Sequence, residues 1–368
     1  MIGIVYGYCV KHGGVGRYIS EYLRNIEDKK NFEIISTEID IHLPKQIRTL
    51  LINCERDRRF MSIDENKSFS QSIRRLTKQY EIIHSHGIYD FLPNFYTAHI
   101  CINSYFNKFI DIFGKSALPK HLRNSYPILI DFEDKILSNL DKERLIFVSK
   151  KVADELSTRY WLSKDNIKII HGASRFHQFT NKAKRNLDKK YEKKTCTIGF
   201  VGGDLYAKGI VFLKDALNKL ASKGFKIRCI GVCWDNYVGE FLKKGSRYET
   251  ELFGRYEINE DFYNKLDVFL NLSIYEAYSL TTLEAMSLGI PVVSSNLNGV
   301  FYDAEQEDLT LAKVKDVSNH MEVASVLEKI LCDESFKKKV VESGYKLTRK
   351  HTWKDVALEY ERIYQKNL

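Results

Sequence analysis

The chain has no run approaching the roughly 18 to 20 uncharged apolar residues that a bilayer-spanning helix requires, so the sequence excludes a helical membrane protein. It has no Cys-x-x-Cys. Its seven cysteines, odd in number and scattered, fit reduced thiols in a cytoplasmic protein, with Cys229 and Cys233 structural. Asp-x-Asp, a common arrangement for holding a divalent ion, is missing, and no other metal-ligand spacing is found. There is no internal repeat and no low-complexity tract. The formal charge is +9, yet no nucleic-acid recognition motif accompanies it, which argues against a nucleic-acid partner. Met1-Ile-Gly-Ile-Val-Tyr6 reads as a first strand and not as a signal peptide.

What is present is enough for two domains: 368 residues with 44% hydrophobic content bury two real cores. Apolar strand candidates at 1–8, 32–37, 81–85, 144–148 and 167–170 alternate with helices, a βαβ pattern. From Arg175 to Lys194 the sequence turns polar and lysine-rich, as a linker does. A second alternation follows, with strands at 197–201, 227–231, 268–271 and 291–294 and helices over 320–350 and 354–366.

The most informative stretch is Glu276-Ala-Tyr-Ser-Leu-Thr-Thr-Leu-Glu284. The β-branched run Leu266 to Ser273 before it reads as a buried strand, Thr281 to Leu288 as a helix stopped by Gly289 and Pro291, and Val292 to Ser295 as the next strand. In an open α/β sheet this places the loop and helix N-terminus at the carboxyl edge, where ligands bind. The amides of Ser279, Leu280 and Thr281 lack intrahelical partners and the helix dipole adds positive charge, so a diphosphate is a natural occupant. Glu276 before the turn and Glu284 within the helix can each accept from vicinal hydroxyls, as ribose and hexose present them. Taken alone, the two carboxylates also suit ordinary loop and helix-start positions.

The segment resembles the Glu-x7-Glu signature of retaining glycosyltransferases of family 4. Gly13-Gly14-Val15-Gly16-Arg17 resembles that family's N-terminal glycine loop. Phe200-Val201-Gly202 with Lys208-Gly209 resembles its second-domain phosphate loop, Phe253-Gly254-Arg255 its base-side loop, and Thr352-Trp353 the start of its closing helix. The resemblance spans nearly the whole chain. It implies an α/β chain of the GT-B fold, two facing Rossmann-like domains with the donor site in the interdomain cleft. The expected domains are 1–174, acceptor-binding, and 175–350, nucleotide-sugar-binding, with the C-terminal helix 351–368 packing back onto the first.

The resemblance also implies roles. His99, Glu276 and Lys208 are the expected catalytic residues: His99 and Glu276 orient the hexose, and Lys208 neutralises the leaving diphosphate. Gly14, Gly202, Gly203, Arg255, Tyr278, Ser279, Leu280, Thr281 and Glu284 join Lys208 around the donor, and Gly13, Arg17 and His86 lie on the acceptor side. Glycines in the first loop are expected to allow positive φ and close approach of a ligand, although Gly-Gly-x-Gly departs from the Gly-x-Gly-x-x-Gly of dinucleotide enzymes. Many relatives carry arginine where this chain has Gly203, which implies either a weaker diphosphate clamp or compensation by Arg255 or Arg17. His84 and His86 form a His-x-His pair without a third ligand in view, and read as strand-end residues.

The expected reaction is retaining and metal-independent: a hexose passes from a UDP- or GDP-sugar to a glycan or lipid-linked acceptor, with no cofactor. A sugar-nucleotide epimerase and a noncatalytic sugar-nucleotide or glycan-binding subunit are the alternatives. Up to residue 180 there are 27 basic against 21 acidic residues, and 30 against 27 after it. Within the first half, residues 105–123 interleave Phe106, Phe109, Ile110, Ile112, Phe113 and Leu118 with Lys108, Lys115, Lys120 and Arg123. That pattern suits either a peripheral contact with the anionic inner face of the cytoplasmic membrane or a core-facing amphipathic helix with a solvated basic face.

Overall fold

A computed structural model describes residues 1–54, 63–118, 120–162, 167–176, 195–233, 236–254 and 258–368. The chain forms two units, Met1–Gly172 with Trp353–Leu368, and Ala173–Thr352.

The first unit is built on a seven-stranded parallel sheet. Its strands are β1 (Ile2–Val5), β3 (Phe32–Ser36), β5 (Arg48–Leu51), β6 (Ile82–Ser85), β7 (Phe95–Ala98), β8 (Leu145–Phe147) and β9 (Lys168–Ile169), in the order β5-β3-β1-β6-β7-β8-β9. Every residue of β1, β6, β7 and β8 is buried, as expected where helices cover both faces of a parallel sheet. Short strands β2 (Tyr8–Val10) and β4 (Glu38–Asp40) pair separately.

The second unit has a six-stranded parallel sheet. It comprises β10 (Cys196–Val201), β11 (Ile227–Val232), β12 (Glu249–Phe253), β13 (Val268–Asn271), β14 (Val292–Ser295) and β15 (Ala312–Val314), ordered β12-β11-β10-β13-β14-β15. In both sheets the chain winds outward in one direction, returns to the middle and winds outward in the other. The reversal falls between β1 and β6 in the first and between β10 and β13 in the second, and the crevice at the strand carboxyl ends there is where such sheets take ligands.

The last helix, Trp353–Gln365, belongs to the first unit. Trp353, Val356, Ala357, Tyr360, Ile363 and Tyr364 recur at helical spacing and are all buried, so one continuous face packs inward, against helix Gly14–Asn25.

The N-terminal loop differs from the expectation. The first strand ends at Val5, and Tyr8–Val10 leaves the main sheet to pair with Glu38–Asp40. The helix starts at Gly14 with Gly13 as its N-cap, at an ordinary extended φ of −93°. None of Gly13, Gly14 or Gly16 has positive φ. Gly16 is instead required by packing: a Cβ there would lie 2.8 Å from Val10 O and 2.9 Å from Val10 N. A Cβ on Gly14 would meet nothing within 4 Å, so this position is open.

The segment 105–123 runs from helix Ile102–Phe113 through the turn Lys115–Ala117 into the start of helix Lys120–Asn139. Phe106, Phe109 and Leu118 are buried in the first unit, while Ile110, Ile112 and Phe113 keep partial exposure. Pro119 and the side chain of Lys120 are outside the described residues.

Candidate active site

In the second domain the two loops that leave β10 and β13 meet. After β10 the chain passes Gly202, at φ +150°, and Asp204 Oδ1 accepts from the amides of Tyr206 and Ala207 at 2.9 and 2.7 Å, which folds the loop back as an Asx turn. A Cβ on Gly202 would stand 2.5 Å from Lys208 Cγ, so glycine lets the lysine stem lie across the loop. Gly209, at φ +63°, would drive a Cβ to 2.0 Å from Leu272 O, and Ala207 O accepts from Ile274 N at 3.0 Å. The loop is thereby docked on the exit of β13.

Lys208 Nζ then donates to Glu276 Oε2 at 2.7 Å, and Ser273 Oγ donates to the same oxygen at 3.3 Å. Glu276 is held through its backbone as well: its N–H donates to Leu297 O at 3.2 Å and its carbonyl accepts from Gly299 N at 2.9 Å. Three residues on, Ser279 caps helix Leu280–Ser287, accepting from Thr282 N at 3.2 Å. Leu280 and Thr281 thus occupy the first turn, where amides have no acceptor within the helix. Gly289, at φ +71°, follows the helix end. Beneath the cap, Asn271 Nδ2 donates to Ser279 Oγ and Thr282 Oγ1, and Asn298 Nδ2 to Thr282 Oγ1 and Ser294 Oγ, a buried polar lattice that fixes the helix start. Tyr278, packed on the apolar core beside it, has its phenol pushed up by burial, then by Asp303 and Glu307.

Glu284 is fully buried. Its oxygens accept from Arg175 Nε and Tyr263 OH, each at 2.8 Å, and Arg175 also donates to Ile258 O at 2.6 Å. Arg175 and Phe176, read from the sequence as the start of a linker, are part of this domain: Phe176 lies in its core and Ser174 Oγ meets Ser287 Oγ at 2.7 Å. Composition alone could not find them, because the pairing spans more than a hundred residues. Arg255 is outside the described residues, as is most of the lysine-rich stretch after Phe176.

In the first domain, His84, His86 and His99 gather at the ends of β6 and β7. His84 and His86 stand at the carboxyl end of β6, and both are buried. His86 Nδ1 meets His99 Nε2 at 2.9 Å, and the Tyr18 ring stands edge-on to His99, with centroids 5.1 Å apart. Burial pushes His84 and His99 down to about 3, with His99 adding to the effect at His84, and holds His86 well below the usual range, so all three rings are neutral near pH 7. The tyrosines packed on them come from helices far apart in the chain, and no local pattern around the histidines points to them. Arg17, on the first helix, is half-buried. Among the described residues no group of three or more His, Cys, Asp or Glu is arranged to hold a metal ion, and no helix is long and apolar enough to cross a membrane.

Two parallel sheets with this strand order, each with a loop-rich crevice at its reversal point, define a GT-B chain, and solved structures agree. The chain superposes over 99% of both chains on WaaG, a glycosyltransferase involved in lipopolysaccharide biosynthesis, with a TM-score of 0.75 at 14% identity. It also matches the sucrose-phosphate synthase of Thermosynechococcus elongatus at 0.72, with 17% identity, covering 99% of this chain and 98% of the other. The HepE protein of Anabaena, solved with UDP and glucose, matches at 0.66 with 12% identity over 99% of each chain. Residues 195–333 of the second domain match the family described as "Glycosyl transferases group 1". An uncharacterised glycosyltransferase of Methanocaldococcus jannaschii is 25% identical over 245 residues, 62% of this chain and 61% of that protein. The capsular polysaccharide biosynthesis glycosyltransferase CapM of Staphylococcus aureus is 23% identical over 213 residues, 55% of this chain and 56% of CapM. The matches therefore span less than two thirds of either curated relative.

Proposed function

We propose that the chain is a glycosyltransferase, a retaining and metal-independent one, that moves a hexose from a UDP- or GDP-sugar to a hydroxyl of a polysaccharide, lipopolysaccharide or lipid-linked glycan. The observation that carries this reading is the meeting of Lys208 and Glu276, 2.7 Å apart, on loops from the two strands that flank the reversal point, beside a capped helix N-terminus. A cation, a carboxylate and free amides in one crevice match a sugar joined to a diphosphate.

Each group then has a task. Lys208 carries three N–H donors; Glu276 takes one, leaving two for phosphate oxygens. The Leu280 and Thr281 amides take further phosphate oxygens, with Gly202 and Gly203 admitting them to the backbone. Glu276 Oε1 accepts from hexose hydroxyls. Glu284 accepts from the ribose once Arg175 moves off one of its oxygens. His99 of the first domain accepts from the hexose. In the reaction the bond from the anomeric carbon to the phosphate oxygen breaks, the acceptor oxygen bonds to that carbon on the same face, and the acceptor proton passes to the departing phosphate. Rate acceleration comes from positioning and from stabilising charge on the phosphate. No cofactor takes part. The half-exposed apolar side chains of helix Ile102–Phe113 beside Lys108 and Lys115 support peripheral contact with an anionic membrane on its cytoplasmic side.

Incubation with UDP- and GDP-sugars, with and without glycan acceptors, tests the reading by mass and anomeric NMR of the product. A glycoside of retained configuration, formed only when acceptor is present, is expected. An altered sugar nucleotide formed without acceptor, or nucleotide binding with no turnover, would overturn it.

A further inference from the structure

The two carboxylates of the second-domain site differ in what an incoming hydroxyl meets. The Glu276 side chain is 19% exposed, so a hydroxyl reaches it beside Lys208. The Glu284 side chain is 1% exposed, and the partly exposed Arg175 donates to it from Nε at 2.8 Å. A ribose at Glu284 therefore has to move this guanidinium aside. Its place along the helix says where it goes. Ser174 Oγ, 2.7 Å from Ser287 Oγ, sets the chain against the end of helix Leu280–Ser287, and Arg175 reaches back from there to Glu284. Helical side chains lean toward the N-terminus, so the Glu284 carboxylate lies over the first turn. Tyr263 OH agrees with this, standing 2.8 Å from Glu284 Oε2 and 3.4 Å from Thr281 O. The guanidinium is thus about one helical turn, about 5 Å, from the Leu280 and Thr281 amides.

Charge gives the reason for the move. Each of these cations is matched by a carboxylate, Lys208 by Glu276 and Arg175 by Glu284. A diphosphate bears negative charge on both phosphates, and Lys208, shared with Glu276, balances only part of it. Ribose hydroxyls carry no charge. When they take over Glu284, the guanidinium is released from its carboxylate next to that anion, and its planar fork of donors suits phosphate oxygens.

We propose that Arg175 is a diphosphate-binding residue, passed from Glu284 to the phosphates by the arrival of the ribose. This rests on the sugar-nucleotide reading of the site and adds an exchange to it: hydroxyls replace the guanidinium on the carboxylate, and the guanidinium replaces water on the phosphates. The exchange makes the two halves of the donor depend on each other. A nucleoside alone displaces the guanidinium from Glu284 with no phosphate to receive it. Pyrophosphate alone draws it from a carboxylate that is then left buried and charged, which is the costly way to break a buried pair. Joined in one molecule, ribose and diphosphate supply both replacements, so a nucleoside diphosphate binds more tightly than its separate parts imply.

The test is NMR titration of the intact chain with UDP, GDP, uridine, guanosine and inorganic pyrophosphate, in the wild type, Arg175→Met and Glu284→Gln, each shown folded by circular dichroism at the assay temperature. Arg175→Met should bind the preferred nucleoside diphosphate about tenfold more weakly, the worth of one charge-assisted contact, and its nucleoside no more weakly, since no cation then competes for Glu284. Glu284→Gln should bind pyrophosphate about threefold or more tightly, because Arg175 is no longer held by a charge. Equal weakening of nucleoside and nucleoside diphosphate in Arg175→Met makes Arg175 a structural residue and overturns the proposal. Pyrophosphate binding unchanged or weaker in Glu284→Gln overturns it as well, and does so even where Arg175→Met does not fold. Nucleoside diphosphate binding that Arg175→Met leaves unchanged refutes the role of Arg175 and leaves the donor site standing, whereas a wild type that binds neither UDP nor GDP refutes the donor site and the proposal together.

Discussion

Removing the Arg175 guanidinium exposes how much the second domain relies on a charge pair that sequence composition hid. Glu284 is completely buried, with Arg175 Nε and Tyr263 OH each 2.8 Å from its carboxylate. Taking away one partner of a fully buried pair typically costs about 3–5 kcal/mol, because the other charge is left uncompensated. The Arg175 side chain is 22% exposed, so water enters part of the space and about 2–3 kcal/mol is the expected cost of Arg175→Met. For a domain of this size that is a fall in Tm of about 5–10 °C, read by calorimetry on the full chain. The double variant Arg175→Met with Glu284→Gln removes the stranded charge and keeps an acceptor for Tyr263, so it should be more stable than the sum of the single effects by about 1–3 kcal/mol. A fall below about 1 °C in Arg175→Met, or strict additivity in the cycle, would refute the argument.

Acid should weaken the first domain in a defined window. His84 and His99 are held at about 3 and His86 is held low, so the unfolded chain binds three more protons than the folded one between about pH 6.5 and 4; stability rises with pH there and is lost as pH falls. Glu133, pushed up to about 7 mainly by burial, opposes this with one proton in the same window, leaving about two net protons, or about 3 kcal/mol per pH unit, measurable as unfolding midpoints at pH 5 and 6. Gly202→Ala places a Cβ 2.5 Å from Lys208 Cγ, so it should displace the lysine from Glu276 and weaken sugar-nucleotide binding by about tenfold, about 1.4 kcal/mol, in calorimetric titration. Trp161 ends its helix in the left-handed region at φ 52° with 89% of its surface exposed, so Trp161→Gly should raise stability by about 1 kcal/mol in denaturant titration.

The architecture was legible because parallel strands buried on both faces read as apolar runs; Leu266 to Ser273 holds β13, and Val292 to Ser295 coincides with β14. Strands carrying charged residues, such as Glu249–Phe253, escaped that signal, as did the very short Ala312–Val314. The loop around Glu276 could be placed since Gly289 and Pro291 punctuate the chain locally. What stayed hidden is non-local. Nothing near Glu284 in sequence points to Arg175, nor does His99 announce Tyr18, Tyr22 or the two tyrosines of the last helix. The first glycine loop departs from the expected positive φ for a related reason: Gly16 answers to the backbone of Val10 across the turn, a contact that spacing does not reveal.

Thermal stabilisation by a panel of UDP- and GDP-sugars, run on the wild type and on Lys208→Met, tests the central claim most directly. A donor at 100 times its Kd should stabilise the wild type by about 2.7 kcal/mol, a rise of about 5–10 °C for one nucleotide class, and the rise should shrink or vanish in the variant. No rise with any donor in folded protein, or an equal rise in Lys208→Met, would contradict a diphosphate-sugar site built on Lys208, Glu276 and the Ser279-capped helix.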